Sequence, residues 1–209
     1  MKKIDYNKLK AKPEEEDFLG KYNDEGTIAT YLVNSYFKSV KKLLKKIDKV
    51  NSAHEIGIGE GISTKRLKEM VPNISGSEFV EKLAKKAQIN NSDLKIFQES
   101  AYELKYEENS VDLVFLLEVL EHLDYPELAL QEIKRISKSY LIIGVPNEPL
   151  WRFLNLCRLK YVKDFGNTPG HLNHWSKKTL IKLVEKEYGK VIDAESPIPW
   201  TILLAKKEN

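Results

Sequence analysis

The chain has 209 residues, of which 34 are Lys or Arg and 31 are Asp or Glu, so its formal net charge at pH 7 is only +3. This length favours a single domain, and the nearly balanced charge gives little electrostatic support for nucleic-acid binding. The single cysteine, Cys157, excludes an intramolecular disulfide framework, and the absence of a signal-peptide pattern or a bilayer-spanning apolar run predicts a soluble, cytoplasmic protein.

The N-terminal segment, residues 1–26, is charged and rich in turn formers, and we expect it to be partly flexible. A long amphipathic helix is predicted from Thr27 to about Asp48, because apolar residues recur there with helical spacing. Residues 27–209 are predicted to form one domain.

Short apolar runs alternate with amphipathic segments along the rest of the chain. The predicted strands are 54–57, 74–78, 94–98, 111–117 and 140–145, and the predicted helices between them are 63–71, 79–88 and 126–137. This alternation indicates an α/β fold with a parallel sheet covered by helices on both faces. After Pro146, helices are predicted near 148–160 and 176–188, and strands near 190–196 and 200–206.

The first predicted strand runs into a glycine-rich turn, Glu55-Ile56-Gly57-Ile58-Gly59-Glu60-Gly61. Glycine permits positive φ and a close approach of ligand to backbone, and the following helix offers N–H groups at its start. The dinucleotide-binding fingerprint places its third glycine three residues after the second, whereas Gly61 follows Gly59 by two. Here the chain resembles the class I S-adenosylmethionine-dependent methyltransferases, whose first motif reads acid-x-Gly-x-Gly-x-Gly. The resemblance implies that Glu55 orients the amino-acid end of the cofactor, directly or through water.

Glu78 ends the second predicted strand, 21 residues after Gly57. A carboxylate at this place can accept hydrogen bonds from both hydroxyls of an adenosine ribose. The structural alternative is an acid stabilised by the dipole of the next helix. Phe79 beside it either stacks on adenine or packs in the protein.

Ser100-Ala101 and the following Val111-Asp112-Leu113-Val114 are similar to the adenine-proximal segment of the same family, where Gly-Asp-Ala is usual. Ser100 stands where the family has an aspartate that accepts from the adenine amine. Serine can accept one such hydrogen bond, and the backbone N–H of Ala101 could meet the ring.

The fourth predicted strand ends in Leu116-Leu117-Glu118-Val119-Leu120-Glu121-His122-Leu123, which is similar to the Glu-Val-Leu-Glu-His signature of many class I enzymes. Ligands of open α/β sheets bind beyond the carboxyl ends of the strands, so this segment, with Leu116 and Leu117, is expected to border the cofactor. The resemblance covers roughly residues 50 to 150. It implies a Rossmann-like, mostly parallel, seven-stranded sheet that closes with a C-terminal antiparallel hairpin.

Glu118, Glu121 and His122 are residue types that bind divalent ions. In the family that the chain resembles, small-RNA 2′-O-methyltransferases and ubiquinone-pathway O-methyltransferases bind magnesium or a similar metal with this segment. Many other members have the same residues and no known metal. The alternative, which we favour, is that His122 forms a hydrogen-bonded wall of the site and the glutamates stabilise a turn.

A second polar cluster, Gly170 to Ser176, contains His171 and His174. Either histidine, like His122, is a candidate general base, and one of them could complete a metal site with His122. The equal alternative is structural, with Ser176 as a helix cap and Trp175 as an anchor of the loop. In the resemblance, residues around 146–175 form an insertion that covers the acceptor.

These features predict an S-adenosylmethionine-dependent methyltransferase that acts on a small molecule, at a hydroxyl oxygen, with a divalent metal such as Mg possible but not favoured. An RNA 2′-O-methyltransferase and a non-catalytic cofactor-binding module stay open as alternatives. A nicotinamide-dependent oxidoreductase is disfavoured by the glycine spacing and because Tyr-x-x-x-Lys occurs only at Tyr6 to Lys10, in the charged segment. The oligomeric state is left open.

Overall fold

A computed structural model describes residues 4–12 and 26–208 of the chain, without the side chain of Asn7. Its elements, apart from short 3-10 turns, are α1 Thr27–Leu44, β1 Ala53–Ile56, α2 Ile62–Lys68, β2 Ile74–Glu78, α3 Glu81–Asn90, β3 Ile96–Gln98, β4 Val111–Leu117, α4 Pro126–Ile136, β5 Ser137–Pro146, α5 Leu150–Cys157, α6 Lys177–Glu187, β6 Gly189–Glu195 and β7 Trp200–Lys207.

The strands form one seven-stranded sheet in the order β3-β2-β1-β4-β5-β7-β6. β1 to β5 pair in parallel, whereas β7 lies antiparallel between β5 and β6. Successive strands run outward from β1 to β3 and then return to β4 on the other side of β1, so the strand order reverses between β1 and β4. The predicted fold, including the C-terminal antiparallel hairpin, is confirmed.

The central strand β4 is buried on both faces, which explains why its sequence is almost continuously apolar. Because side chains alternate along a strand, Leu113 and Phe115 join one core cluster and Val114 and Leu116 join the other. The first cluster is covered by buried residues of α1 and α2, and the second by buried residues of α4 and α6.

The main differences from the predicted elements lie at their ends. α1 stops at Leu44, where the N–H of Lys46 turns back to the carbonyl of Leu43 at 3.0 Å. β3 has only three residues, because it pairs with β2 alone and Leu94 before it belongs to a turn with Asn91. β5 begins directly after α4 at Ser137, whose extended backbone ends the helix.

The first strand carries a buried histidine that is held by hydroxyl groups. His54 Nδ1 lies 2.9 Å from Ser75 Oγ and His54 Nε2 lies 2.9 Å from Ser77 Oγ, both on β2. Burial lowers the pKa of His54 to about 3, so the ring is neutral at ordinary pH. A neutral ring needs one donor and one acceptor, and hydroxyls can be either, so this network fixes β1 against β2 without a buried charge.

In the described ranges, 4–12 and 26–208, no helix combines the length and apolarity needed to span a bilayer. The cytoplasmic location and the division into an N-terminal segment and one domain stay predictions.

Gly144 of β5 leaves space that Tyr36 of α1 fills, since a Cβ at this position would collide with the tyrosine hydroxyl. Gly144→Ala should therefore lower the free energy of unfolding by about 1–3 kcal/mol. Chemical denaturation would measure this. The same substitution in a Tyr36→Phe background should cost less, because the colliding oxygen is gone; an equal cost in both backgrounds would contradict the assigned contact.

Candidate functional site

A crevice opens at the carboxyl ends of the parallel strands, where the strand order reverses between β1 and β4. Four segments at the strand ends line it, namely the turn after β1, the end of β2, the loop after β3 and the exit of β4, and a fifth comes from residues 4–12. Because the strand order reverses, the loops that follow β1 and β4 diverge. The space between such loops is the usual ligand site of an open α/β sheet. The fold therefore gathers the separate sequence motifs at one place.

The glycine-rich turn forms one wall of the crevice. Gly57, Gly59 and Gly61 have φ values of +71°, +55° and +79°, a region that side-chain-bearing residues rarely adopt. A Cβ on Gly59 would meet no protein atom within 4 Å, whereas one on Gly57 would collide with Val119. Gly57 and Gly59 line the crevice. Gly61 lies outside its lining, at the start of α2, where its carbonyl accepts from Asn91 Nδ2 at 3.1 Å.

Glu78 connects the end of β2 to this turn. Its Oε2 accepts from the N–H of Gly59 at 2.8 Å, and its Oε1 accepts from the N–H of Val80 at 3.0 Å. Burial raises the pKa of Glu78, while the backbone hydrogen bonds act in the opposite direction. Each carboxylate oxygen has a second lone pair, so the side chain can accept further hydrogen bonds from a ligand in the crevice.

Seven of the ten residues predicted to bind cofactor line the crevice: Gly57, Gly59, Glu78, Phe79, Ser100, Ala101 and Leu117. Leu116 does not, because side chains alternate along β4 and this one is fully buried in the core on the α4 side. The assignment of Leu116 to the cofactor stays a prediction, and its side chain lies outside the crevice lining.

Glu55 also lies outside the crevice lining, behind the glycine turn. It is almost completely buried and accepts a hydrogen bond of 2.6 Å from the hydroxyl of Thr64. Burial raises the pKa of Glu55 to about 7. The carboxyl group therefore joins the end of β1 to α2. It does not line the crevice, so it makes no direct contact with a ligand bound there.

Residues 4–12 contribute to the crevice, which sequence reasoning did not predict. Leu9 and Ala11 belong to its lining. The carboxylate of Asp124 holds this segment, since Oδ1 accepts from the N–H of Lys10 at 2.8 Å and Oδ2 from the N–H of Ala11 at 3.0 Å. The ring of Tyr6 stacks on Phe79, with centroids 6.0 Å apart and planes 15° apart. No periodic pattern in this charged segment signals such a role.

The loop between β3 and β4 adds two more lining residues that the sequence did not single out, Glu99 and Tyr102. Burial raises the pKa of both, that of Tyr102 to about 12. Tyr102 accepts a hydrogen bond of 3.2 Å from the N–H of Tyr125. In the sequence, only their position next to Ser100 and Ala101 indicates that Glu99 and Tyr102 could line the crevice.

Three of the predicted catalytic or metal-binding residues come together at the exit of β4. Glu121, His122 and His171 each offer a ligand atom, and these atoms lie within 4.8 Å of one another. The two imidazole rings are nearly perpendicular, with centroids 4.9 Å apart. The loop that carries His171 is fixed there because the N–H groups of Leu172 and Asn173 donate to the carbonyl of Glu121 at 2.9 and 3.0 Å.

Glu118 and His174 are not members of this group. Glu118 has φ +57° at the end of β4 and lines the crevice, and its N–H donates to the carbonyl of Gly144 at 2.7 Å. His174 is exposed, and its Nε2 lies 2.6 Å from Asn167 Oδ1. Partial burial and then Arg152 lower the pKa of His174. The metal set of Glu118, Glu121 and His122 stays a prediction, while the ligand atoms that the structure brings together belong to Glu121, His122 and His171.

Trp175 and Ser176 have the structural roles that the sequence allowed. Trp175 packs against the core, and its carbonyl accepts from the N–H of Glu148 at 2.9 Å. Ser176 caps α6 in a reciprocal capping box with Thr179. Both interactions fix the end of the loop that carries His171.

Residues 54–143 match the sequence profile of a family described as a methyltransferase domain. No curated protein matches the chain. The expectation of a methyltransferase enzyme is confirmed by this domain, whereas the closer similarity to the ubiquinone-pathway and small-RNA enzymes stays a prediction.

Solved structures show the same fold at low sequence identity. The PH0226 protein from Pyrococcus horikoshii OT3 has a TM-score of 0.69 and 14% identity, over 94% of this chain and 99% of that chain. Magnesium protoporphyrin IX methyltransferase from Synechocystis PCC 6803, crystallised with S-adenosylmethionine, has a TM-score of 0.67 and 13% identity, over 91% and 89%. A methyltransferase from Aquifex aeolicus has a TM-score of 0.64 and 17% identity, over 82% and 89%.

The buried Glu55 should make stability depend on pH in a predictable direction. Its folded pKa of about 7 exceeds the ordinary value of 4.5, so the folded state loses stability as pH rises from 4.5 through about 7. Glu55→Gln, which keeps an acceptor for Thr64, should be more stable than wild type at pH 8 by on the order of 1–3 kcal/mol. Denaturant titrations at pH 4.5, 6 and 8 would measure this difference. A difference that does not grow with pH would contradict the assignment.

Proposed function

We propose that the protein is an S-adenosylmethionine-dependent enzyme that methylates a hydroxyl oxygen of a small-molecule acceptor. The observation that carries this proposal is the crevice in which Glu78 meets the side-chain-free backbone of Gly57 and Gly59. The methyltransferase domain supports the class of reaction. The acceptor is inferred from the residues at the exit of β4.

The residues of the crevice fit the cofactor. The position that a Cβ of Gly59 would take is open, so a ligand can pass close to the backbone there. Glu78 would accept from the ribose hydroxyls with its remaining lone pairs, and the half-exposed ring of Phe79 would stack on adenine. Ser100 and the backbone of Ala101 lie where the adenine edge is expected. When bound, S-adenosylmethionine supplies an electrophilic methyl group on a sulfonium centre.

The protein contributes chiefly by alignment and by excluding water. Ile58, Leu117 and Val119 give the crevice apolar walls, and Leu9 adds one from the N-terminal segment. An acceptor held in line with the methyl group reacts faster because little orientation remains to be lost. Removal of water also strengthens the electrostatic interactions of the polar groups inside.

His122 is the strongest candidate for the general base. It is the one of the three predicted catalytic histidines that lines the crevice, and the ring of His171 lies against it. An imidazole nitrogen can take the proton of the acceptor hydroxyl as its oxygen attacks. We assign His171 to positioning His122, and we assign no catalytic role to His174.

A divalent metal is the competing use of the same residues. Glu121, His122 and His171 would hold it, and it would polarise the acceptor oxygen. Two imidazoles and one carboxylate suit zinc or manganese better than magnesium, which prefers carboxylate and water oxygens. The donor set therefore does not favour the magnesium that the resemblance suggested.

The cofactor assignment predicts that Glu78→Ala weakens binding of S-adenosylhomocysteine by about 10- to 1000-fold, because two hydrogen bonds to a charged group are lost. Isothermal titration calorimetry would measure the Kd. Glu81→Ala is a matched control, since this exposed carboxylate pairs only with Lys85 in the described contacts, at 2.5 Å. Equal Kd values for wild type and Glu78→Ala would exclude the ribose assignment.

The base assignment predicts that His122→Ala lowers kcat on the order of 100- to 10,000-fold, with the Kd for S-adenosylhomocysteine changed only a few-fold. The rate would be measured on an acceptor found in a panel of phenols, aliphatic alcohols and RNA oligonucleotides. His174→Ala should change kcat little. If a chelator abolished activity and manganese or zinc restored it, the general-base role of His122 would be contradicted and a metal-dependent mechanism supported.

The same panel separates the alternatives. Methyl transfer to RNA oligonucleotides alone would favour the RNA 2′-O-methyltransferase. Cofactor binding without transfer to any member of the panel would favour the non-catalytic module.

A further inference from the structure

A group of exposed apolar side chains projects from α5 and the loop that follows it. We call it the α5 patch, and its members are Phe153, Leu156, Leu159, Tyr161, Val162 and Phe165. Leu159 is 84% exposed, Phe165 77% and Phe153 61%. Single exposed apolar residues are common on proteins, but a concentration of large ones marks an interaction surface.

The loop folds back against the helix, so these residues share one surface region. The N–H of Lys160 donates to the carbonyl of Asn155 at 2.9 Å, and Asn155 Nδ2 donates to the carbonyl of Gly166 at 2.9 Å. Gly166 lies so close to α5 that a Cβ there would collide with the carbonyl of Arg152. Within α5, Phe153 and Leu156 are three residues apart and therefore project from the same face.

Three members of the α5 patch have a strained backbone. Leu159, Tyr161 and Phe165 have φ values of +54°, +53° and +50°. This left-handed region is unfavourable for bulky residues, and Gly or Asn usually occupies it. Strain of this kind often occurs at functional sites. Since these three side chains also project into solvent, folding alone does not explain why they are large and apolar.

The charge around the patch indicates what it contacts. Residues 150–166 contain four basic residues, Arg152, Arg158, Lys160 and Lys163, and one acidic residue, Asp164. Protein interfaces tend to exclude lysine from their centres, whereas aromatic and leucine side chains interspersed with Lys and Arg are typical of segments that lie in the lipid headgroup region. Long basic side chains can keep their charge at the headgroups while apolar neighbours enter the acyl region.

We propose that the α5 patch docks the protein on the surface of an anionic lipid bilayer. The apolar side chains insert at the boundary of headgroups and acyl chains, and the exposed Arg158, Lys160 and Lys163 bind the anionic headgroups. No part of the protein needs to cross the bilayer for this contact.

The docked orientation also bears on the acceptor. The first turn of α5 carries Trp151, whose ring centroid lies 6.1 Å from that of His171 and whose Nε1 donates to Thr168 Oγ1 at 2.8 Å. The helix that carries the patch therefore also borders the histidine pair. If the proposed function holds, on which this step rests, the acceptor is a hydroxyl compound carried by the membrane.

Vesicle co-sedimentation tests the docking without any assay of methyl transfer, so its failure is distinguishable from failure of the proposed function. Wild-type protein should bind vesicles with 30% phosphatidylglycerol in phosphatidylcholine at least tenfold more strongly than vesicles of phosphatidylcholine alone, and added salt should weaken the binding. Absence of binding, or equal binding to both kinds of vesicle, would overturn the proposal.

Two glycine substitutions separate docking from folding. Leu159→Gly with Phe165→Gly removes apolar side chains and relieves two left-handed positions, so the thermal midpoint should not fall while binding to anionic vesicles decreases at least tenfold. Ile89→Ser, at an 80% exposed position on α3, which packs against the edge strand β3, is the control and should bind like wild type. Unchanged binding of the double variant would contradict insertion of the patch.

A charge-matched pair tests the basic residues. Lys160→Glu with Lys163→Glu should abolish the preference for anionic vesicles, whereas Lys82→Glu with Lys95→Glu, which changes the net charge equally, should retain most of it. Equal losses in both variants would mean that only net charge matters. The protein could instead fail to bind vesicles and self-associate in sedimentation velocity experiments. If the two glycine substitutions abolished that self-association, the α5 patch would be a contact with a second copy of the chain, and the membrane proposal would be overturned.

Discussion

The contact between the carboxylate of Glu78 and the N–H of Gly59 determines the shape of the crevice. It joins the end of β2 to the turn after β1 at 2.8 Å, and the second oxygen of the same carboxylate fixes the start of the next segment through Val80. The turn can come this close only because its glycines adopt positive φ. One buried acid therefore positions the backbone that a nucleoside cofactor would contact and remains able to bind the ribose itself.

The other half of the site depends on a long-range connection. Glu121 and His122 follow β4, but His171 reaches them from a loop about fifty residues later, through hydrogen bonds to the carbonyl of Glu121. The same loop is anchored at its end by the capping box of Ser176, and at its side by Trp151 of α5. Structural contacts thus set the distance between the two imidazoles, and the α5 patch lies on the element that makes one of these contacts.

Much of the fold follows from the sequence because its determinants are local. The alternation of apolar and amphipathic segments predicts the strands, and the glycine turn and Glu78 lie at strand ends, where the sheet places them together. Tertiary contacts decide the rest. The role of Leu9 depends on the carboxylate of Asp124, 115 residues away along the chain. The position of His171 beside Glu121 and His122 depends on a loop path that no local spacing encodes, and the position of Leu116 depends on which face of β4 its side chain takes.

A crystal structure of the protein with S-adenosylhomocysteine is the most direct test of the central claim. The account predicts both ribose hydroxyls within hydrogen-bonding distance of the Glu78 carboxylate, at roughly 2.5–3.0 Å. It also predicts the ligand in van der Waals contact with the backbone of Gly57 and Gly59. A ligand bound elsewhere, or a ribose that makes no contact with Glu78, would contradict it.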